Sequence, residues 1–395
     1  MEKQTISDID VAGKRVLVRV DFNVPMDEKK GSIADDMRIR EALPTLEYLI
    51  AHKARVILCS HLGRPKGKVV PGLKLAPIAQ RLSALLGKPV RTTPDCVGKE
   101  AEAAAKEVTD GEVLMLENLR FHSEEEANDP GFAKALAQLA EVYVNDAFGT
   151  AHRAHASTVG VTQYLPAVAG FLMEKEISIM GKALSDPVRP YAVIIGGAKI
   201  SDKIAVLEHA LEKVDSLIIG GGMASTFLKA QGYEVGKSLV EEDRLDFARS
   251  LMTQAKEKGV RLLLPVDAVI GDKFDADAAS QTVAAEKIPS SWMMMDIGPK
   301  TVVVFKGELQ GCRTVIWNGP MGVFEFPQFR KGTEAIAAIL ASLNATTIVG
   351  GGSTAEAVQE MGYASRITHV STGGGASLEF MEGKVLPGVA ALRDK

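Results

Sequence analysis

The chain has 395 residues, more than one ordinary domain of about 100–200 residues accounts for, so two domains are expected. Its 46% hydrophobic and 24% charged residues lie at globular averages, which excludes a disordered chain, a collagen-like fibre and a small disulfide scaffold. With 46 basic against 50 acidic residues and a formal charge of −4, no nucleic-acid or anionic-membrane partner is expected, although so balanced a total can conceal a small basic pocket.

In chain order, short aliphatic runs that end abruptly in polar or glycine residues predict strands. In the first half they are RVLVRV (15–20), RVILCS (55–60), EVLMLE (112–117) and VYVND (142–146). A stretch between Pro166 and Pro190 then changes character: AVAGFLMEKEISIMGKAL reads as a helix, and SDPVRP punctuates the chain before the next strand. The second half predicts strands at YAVII (191–195), SLIIG (216–220), RLLLPV (261–266), TVVVF (301–305), TVIW (314–317), TTIVG (346–350) and ITHVS (367–371). Helical faces lie between them, such as Ile39, Leu43, Leu46, Leu49 and Ile50, or Ile204, Leu207, Leu211 and Val214. Strand, helix, strand at this spacing predicts an α/β fold of parallel sheets covered on both faces, with the 166–190 stretch crossing between two domains. The last residues, roughly 380–395, are too few to form a layer and are expected to dock on one domain.

No apolar run reaches the ~18 residues of a membrane span. The start, MEKQTISDID, lacks the basic region and apolar core of a secretory signal. Cys59, Cys96 and Cys312 are far apart and form no CxxC pair, so free thiols in a reducing cytoplasm are expected.

Ligands of open α/β sheets bind beyond the carboxyl ends of the strands, and there the two halves differ. In the first half these positions carry Asp21, Asn23, His61, Arg64, Arg120, His152 and Arg153, with Arg38 in the first turn of a predicted helix behind Asp35 and Asp36. A cation there opposes the helix dipole, which hints at an anionic ligand. Taken singly, each arginine reads as a solvated surface side chain. Together they suit a small, multiply charged carboxylate or phosphate compound. The second half ends its strands in glycine instead: GGAKISDK (196–203), GGGMAS (220–225), WNGPMG (317–322), GGGST (350–354) and STGGGAS (371–377). Glycine turns that open helices aim free N–H groups at a ligand. Lys199 and Lys203 flank Ser201, a predicted N-cap, and a phosphate chain would resolve the conflict of two cations with the dipole.

Standard phosphate motifs fail. GYEVGKS (232–238) has three residues between its glycines rather than the four of a P-loop, and no glycine cluster fits GxGxxG. GxSxG and HExxH are absent as well. His152 and His155 lack an adjoining acidic or cysteine partner and are not read as metal ligands. Met293, Met294 and Met295 read as core or pocket lining.

RVDFNVP (19–25), HLGRP (61–65), ENLRF (117–121), NDAFGTAHRAHAS (145–157), GGAKISDK, WNGPMGVFE (317–325) and STGGGASLEF (371–380) resemble phosphoglycerate kinase, in the family's order and over nearly the whole chain. The resemblance implies two Rossmann-like domains with parallel sheets joined by an interdomain helix. Residues 1–170 with 380–395 would form the 3-phosphoglycerate-binding domain, and 171–379 the nucleotide-binding domain, connecting helix included. It implies reversible transfer between ATP and the carboxylate of 3-phosphoglycerate, with Mg²⁺ on the nucleotide, in a cytoplasmic, hinge-bending monomer that works in glycolysis. By motif match, Asp21 and Asn23 would hold the glycerate end, with Phe22, Leu62 and Gly63 beside it, and His61, Arg64, Arg120 and Arg153 the non-transferred phosphate. Arg38 would sit by the reacting carboxylate, and Lys199 with Gly373 and Gly374 by the transferring group. Lys203, Gly220, Gly221, Met294, Asn318, Glu325, Gly351, Gly352, Ser353 and Thr354 would form the nucleotide site, with Glu325 on the ribose.

The chemistry fits such a site. A substrate carboxylate is already ionised at pH 7, so transfer needs alignment and charge neutralisation rather than a general base. This chain departs from the family at two positions. Ser353 replaces the aspartate that ligates Mg²⁺, so the ion is expected to rely more on phosphate oxygens and water. Met294 stands where glycine is common near the adenine. A nicotinamide-dependent dehydrogenase is the competing enzyme class, opposed by the missing GxGxxG. A catalytically dead binding protein would need loss of Arg38, Lys199 or Lys203, and all three are present.

Overall fold

The computed structural model describes residues 2–27 and 31–395. The chain folds as two compact units, Met1–Gly181 with Val385–Lys395, and Lys182–Lys384. The line between them falls inside the helix Phe171–Ser185. Residues 171–181 and 380–384 therefore lie on the other side of it from the ranges expected above.

The first unit holds a six-stranded parallel sheet. Its spatial order is Val90–Thr92, Val113–Met115, Arg55–Cys59, Arg15–Val20, Val142–Asp146 and Ala167–Ala169. The middle strands are buried on both faces, as continuous aliphatic runs require. Helix Met37–Ala51 covers one face with Ile39, Ala42, Leu46 and Leu49. Ala167–Ala169, expected to open the crossing helix, is instead the edge strand, and Gly170 makes the turn between them. A Cβ on Gly170 would stand 2.2 Å from Asp146 Oδ1, and that oxygen accepts from the Leu172 and Met173 N–H groups that start the helix. Residues 385–395 complete this unit: Gln4 N–H donates to Arg393 C=O, Arg393 N–H to Ala167 C=O, and Lys3 pairs with Asp394.

The second unit repeats the design with Arg261–Leu263, Ser216–Ile219, Tyr191–Ile195, Thr314–Asn318, Thr346–Gly350 and His369–Val370, again all parallel. It adds a three-stranded antiparallel sheet of Ser280–Ala284, Asp267–Gly271 and Met293–Ile297, which packs Met295 against Phe329 and Ala278. Residues 301–305 correct the strand expected there: they lie in helix Pro299–Leu309. Asp267 sets its start, its carboxylate accepting from the Lys300 and Thr301 N–H groups. Thr301, Phe305 and Leu309 then form the buried stripe, leaving Val303 70% exposed. Among the described residues, no helix is long and apolar enough to cross a membrane.

Candidate active site

In the first unit, the loops after three adjacent strands are tied to one another. Arg38, in the first turn of Met37–Ala51, donates from Nη1 to Asp21 Oδ2 at 2.7 Å. Asp36 at the N-cap makes no cap; its carboxylate pairs with Arg40 and Arg81, which hold it below the usual range. Arg38 therefore shares Asp21 rather than Asp36, and a guanidinium with five N–H groups keeps donors to spare for an anion. Asn23 Oδ1 accepts from Gly63 N–H at 2.8 Å, and Arg120 Nη1 donates to Gly63 C=O at 2.9 Å. Phe22 N–H donates to Ser60 Oγ, and Asn118 bridges to both backbone groups of Leu62.

His61 is buried within this mesh, its Nδ1 3.0 Å from Arg19 Nη2 and 3.9 Å from Asp21 Oδ1. Burial, reinforced by the charges of Arg19, Arg120 and Arg38, drives its pKa well below the ordinary value, so the ring is neutral at pH 7. His155 is held down to about 4 by burial and then by Arg120, Arg19 and Arg153. Arg120 is lowered chiefly by burial, against the pull of Glu126; its Nε makes no hydrogen bond but lies 3.5 Å from Glu126 Oε1. Arg153 is half-buried beside His152, which accepts from its Nε at 3.2 Å. Arg64 is exposed on the same loop as Gly63 and is the least tied of the set. Cations crowded together and partly stripped of water favour an anion that would neutralise them.

Sequence reasoning gave Arg19 no role, yet it is fully buried at the centre. Its Nε donates to Ser157 Oγ, which donates to buried Glu125, and its Nη1 reaches Val20 C=O. A signal was present: a charged residue inside a strand buried on both faces demands partners.

In the second unit, Lys199 is exposed in the loop after Tyr191–Ile195. Ser201 is not an N-cap. Helix Ile204–Leu211 begins later, with Lys203 at the capping position, and the Ile200 and Ser201 N–H groups turn instead to Glu241. Lys203 Nζ donates to Asn318 Oδ1, and burial lowers its pKa to about 8 against the pull of Asp202 and Glu382. Asn318 Nδ2 is buried without a partner. It would lie 3.0 Å from a Cβ on Gly351, whose φ of +88° already favours glycine.

Helix Gly352–Glu360 opens beside this amide, with Ser353 exposed and Thr354 Oγ1 accepting from Gly319 N–H at 2.7 Å. Ser377 joins the two glycine turns, accepting from Gly351 N–H and donating to Gly374 C=O. Gly373 N–H donates to Ser371 Oγ, and Glu325 is exposed. Gly220 packs on Met321, and a Cβ on Gly221 would stand 2.5 Å from Gly197 N. Next to them, Gly221, Gly222, Leu239, Met294, Pro320 and Met321 line a cavity of about 130 Å³. Met294 is pinned there by Ser238 Oγ at its N–H and by Ser225 Oγ at 3.7 Å from its sulfur.

A cationic Lys203, the unpaired Nδ2 of Asn318 and an open helix N-terminus fit a phosphate chain, and the weakly polar slot fits a flat ring. The side-chain oxygens at these turns are hydroxyl and amide, so a Mg²⁺ ion here would draw its ligands mainly from phosphate and water.

A model described as phosphoglycerate kinase matches residues 6–384. Proteins of that name from Moorella thermoacetica and Microcystis aeruginosa are 62% identical over 395 residues and 61% identical over 399. The matches cover 100% of both chains for the first and 99% of both for the second. The solved phosphoglycerate kinase structure from Coxiella burnetii matches with TM-score 0.88 at 42% identity, and that from Pyrococcus horikoshii OT3 with 0.86 at 34%, each covering 98% of both chains.

Proposed function

The chain belongs to the phosphoglycerate kinase family, and from that premise we propose how its own residues carry the reaction. It is an enzyme of glycolysis that transfers a phosphoryl group reversibly between ATP and the carboxylate of 3-phosphoglycerate. The first unit takes 3-phosphoglycerate: Asp21 and Asn23 bind the glycerate end, and His61, Arg64, Arg120 and Arg153 bind its phosphate. Neutral His61 contributes as a hydrogen-bond donor rather than as a charge. Arg38, held on Asp21, turns its remaining N–H groups to the reacting carboxylate and to the charge that develops during transfer.

The second unit takes the nucleotide. The slot beside Gly220 and Gly221 receives the base against Met294, and Glu325 bonds the ribose. Lys203, Asn318 and the turn Gly351–Thr354 hold the phosphates. Lys199 and the Gly373–Gly374 turn face the transferring group. When bound, Mg²⁺ neutralises phosphate charge, and Ser353 meets it with a neutral hydroxyl. In-line transfer also requires exclusion of water, which supports hinge-bending through the helix Phe171–Ser185. A monomer in the cytoplasm, with no nucleic-acid or membrane partner, completes this reading.

The carrying observation is the 2.7 Å Arg38–Asp21 pair at the end of the strand Arg15–Val20. A coupled assay with ATP, Mg²⁺ and 3-phosphoglycerate, with glyceraldehyde-3-phosphate dehydrogenase consuming NADH, tests it. NADH loss that requires the acid and collapses in Arg38→Ala is expected. Full turnover in Arg38→Ala would remove this residue from the chemistry.

A further inference from the structure

Outside the residues used above, the first unit gathers three different metal-type donors. A carboxylate oxygen of Asp95, the thiol of Cys96 and a ring nitrogen of His122 all lie within 4.8 Å of one another. They come from the ends of two paired strands. Asp95 and Cys96 follow Val90–Thr92, while His122 ends the turn Leu119–Phe121 after Val113–Met115. The loop is braced from behind: Thr93 Oγ1 donates to Asp95 C=O at 2.6 Å, and Cys96 N–H to Asp95 Oδ1 at 2.6 Å. His122 Nε2 stands 2.7 Å from the same Oδ1. Cys96 is fully buried, whereas the side chains of Asp95 and His122 are 47% and 28% exposed. The sulfur is thus fixed on the protein side while solvent reaches the other two donors.

We propose that Asp95, Cys96 and His122 form a binding site for a borderline-soft divalent cation of the zinc class. One sulfur, one imidazole and one carboxylate is a donor set that suits zinc and disfavours Mg²⁺ or Ca²⁺, and three protein ligands leave a fourth position for water. Tetrahedral ligands at zinc distances stand about 3.3–3.7 Å apart, so side-chain shifts of about an ångström close the site. Binding forms an S–Zn bond and releases the thiol proton to solvent; the neutral imidazole keeps its one proton on the nitrogen that does not bind. Thiolate and carboxylate together then balance the two positive charges. The bound ion ties the loop after Val90–Thr92 to the turn that carries Arg120, clipping one side of the substrate-binding arginines in place.

The full chain, stripped with a chelator, is titrated with Zn²⁺ by calorimetry and with Co²⁺ by absorption. One cation per chain and a near-ultraviolet sulfur-to-cobalt charge-transfer band are expected. His122→Gln and Asp95→Asn, both at partly exposed side chains, should each weaken zinc binding at least tenfold. Cys96→Ser should abolish the band, while Cys312→Ser leaves it intact. A wild-type protein with no saturable single site, or binding that survives His122→Gln and Asp95→Asn unchanged, overturns the proposal. In that case the cluster is only a hydrogen-bonded Asp–His pair beside a buried thiol.

Discussion

Arg19 Nη2 lies 3.0 Å from His61 Nδ1, and because a guanidinium only donates, that ring nitrogen must accept. The single proton of neutral His61 therefore sits on Nε2. Replacing Arg19 by Met removes the largest of the charges that depress His61, after burial itself, and leaves Glu125 buried without its cation. The His61 pKa should rise, and unfolding free energy should drop by about 3 kcal/mol, as when one partner of a buried charge pair is deleted. Histidine titration by NMR and urea denaturation check both. An unchanged His61 titration would mean that burial alone controls it.

If Arg38 meets the charge that develops in the transition state, as proposed, Arg38→Ala should cut kcat on the order of 10²-fold or more with a much smaller change in KM. Steady-state kinetics in both substrates separate the effects. A rise in the KM for 3-phosphoglycerate with kcat intact would make Arg38 a binding residue only.

In the proposed role, Lys203 holds phosphate as a cation, and burial brings its pKa to about 8. Nucleotide affinity of the free enzyme should therefore fall as pH rises through 8 and beyond, with little change between pH 6 and 7. Lys203→Ala should weaken ATP and abolish this dependence while sparing 3-phosphoglycerate. Calorimetry with each ligand alone decides it, and selective loss of the acid would reverse the assignment of the two units.

In the proposed nucleotide site, Ser353 offers the metal a neutral hydroxyl where the family resemblance implies an aspartate. Ser353→Asp should tighten Mg²⁺–nucleotide binding several-fold, since a hard cation prefers a charged oxygen. The Mg²⁺ dependence of the KM for ATP is the readout, and an unaltered dependence would show that phosphate and water already satisfy the ion.

Asp296 controls a stability trend. Burial raises its carboxyl to about 7, well above the ordinary carboxylate range, so the folded state holds a proton that the unfolded state gives up. Its contribution is complete below about pH 4 and is lost as pH rises to about 7, at about 1 kcal/mol per pH unit. Asp296→Asn should flatten that slope, although it costs one of the bonds from Ile297 and Gly332 N–H at every pH. Equal slopes for the two proteins between pH 4.5 and 7 would refute it.

The central strands were readable because burial on both faces demands unbroken aliphatic runs, as in Val142–Asp146 and Tyr191–Ile195. The first unit's edge strands were not: Val90–Thr92 is mostly exposed and Ala167–Ala169 is three small residues, so neither carries that signature, whereas the second unit's edges, Arg261–Leu263 and His369–Val370, lie inside runs that do. Val302, Val303 and Val304 look like a strand because β-branching sets local propensity, but Asp267, distant in sequence, starts a helix there. Asp21, Arg38 and Lys203 were visible as charges, and Asn23 as a polar amide, at strand or helix ends, where water or a ligand must meet them. Arg19 bonds to Ser157, 138 residues away, and Ser157 in turn to Glu125, 32 residues away, links that no local pattern records.

Residues 385–395 belong to the unit built from residues 1–181, where Arg393 and Asp394 close the edge beside Gln4 and Lys3. The intervening unit is one uninterrupted stretch of chain. During synthesis, residues 182–384 can reach their final fold as soon as they clear the ribosome. The unit begun earlier has to wait, its edge strand Ala167–Ala169 without the Arg393 bond, until the segment that closes it has also been made.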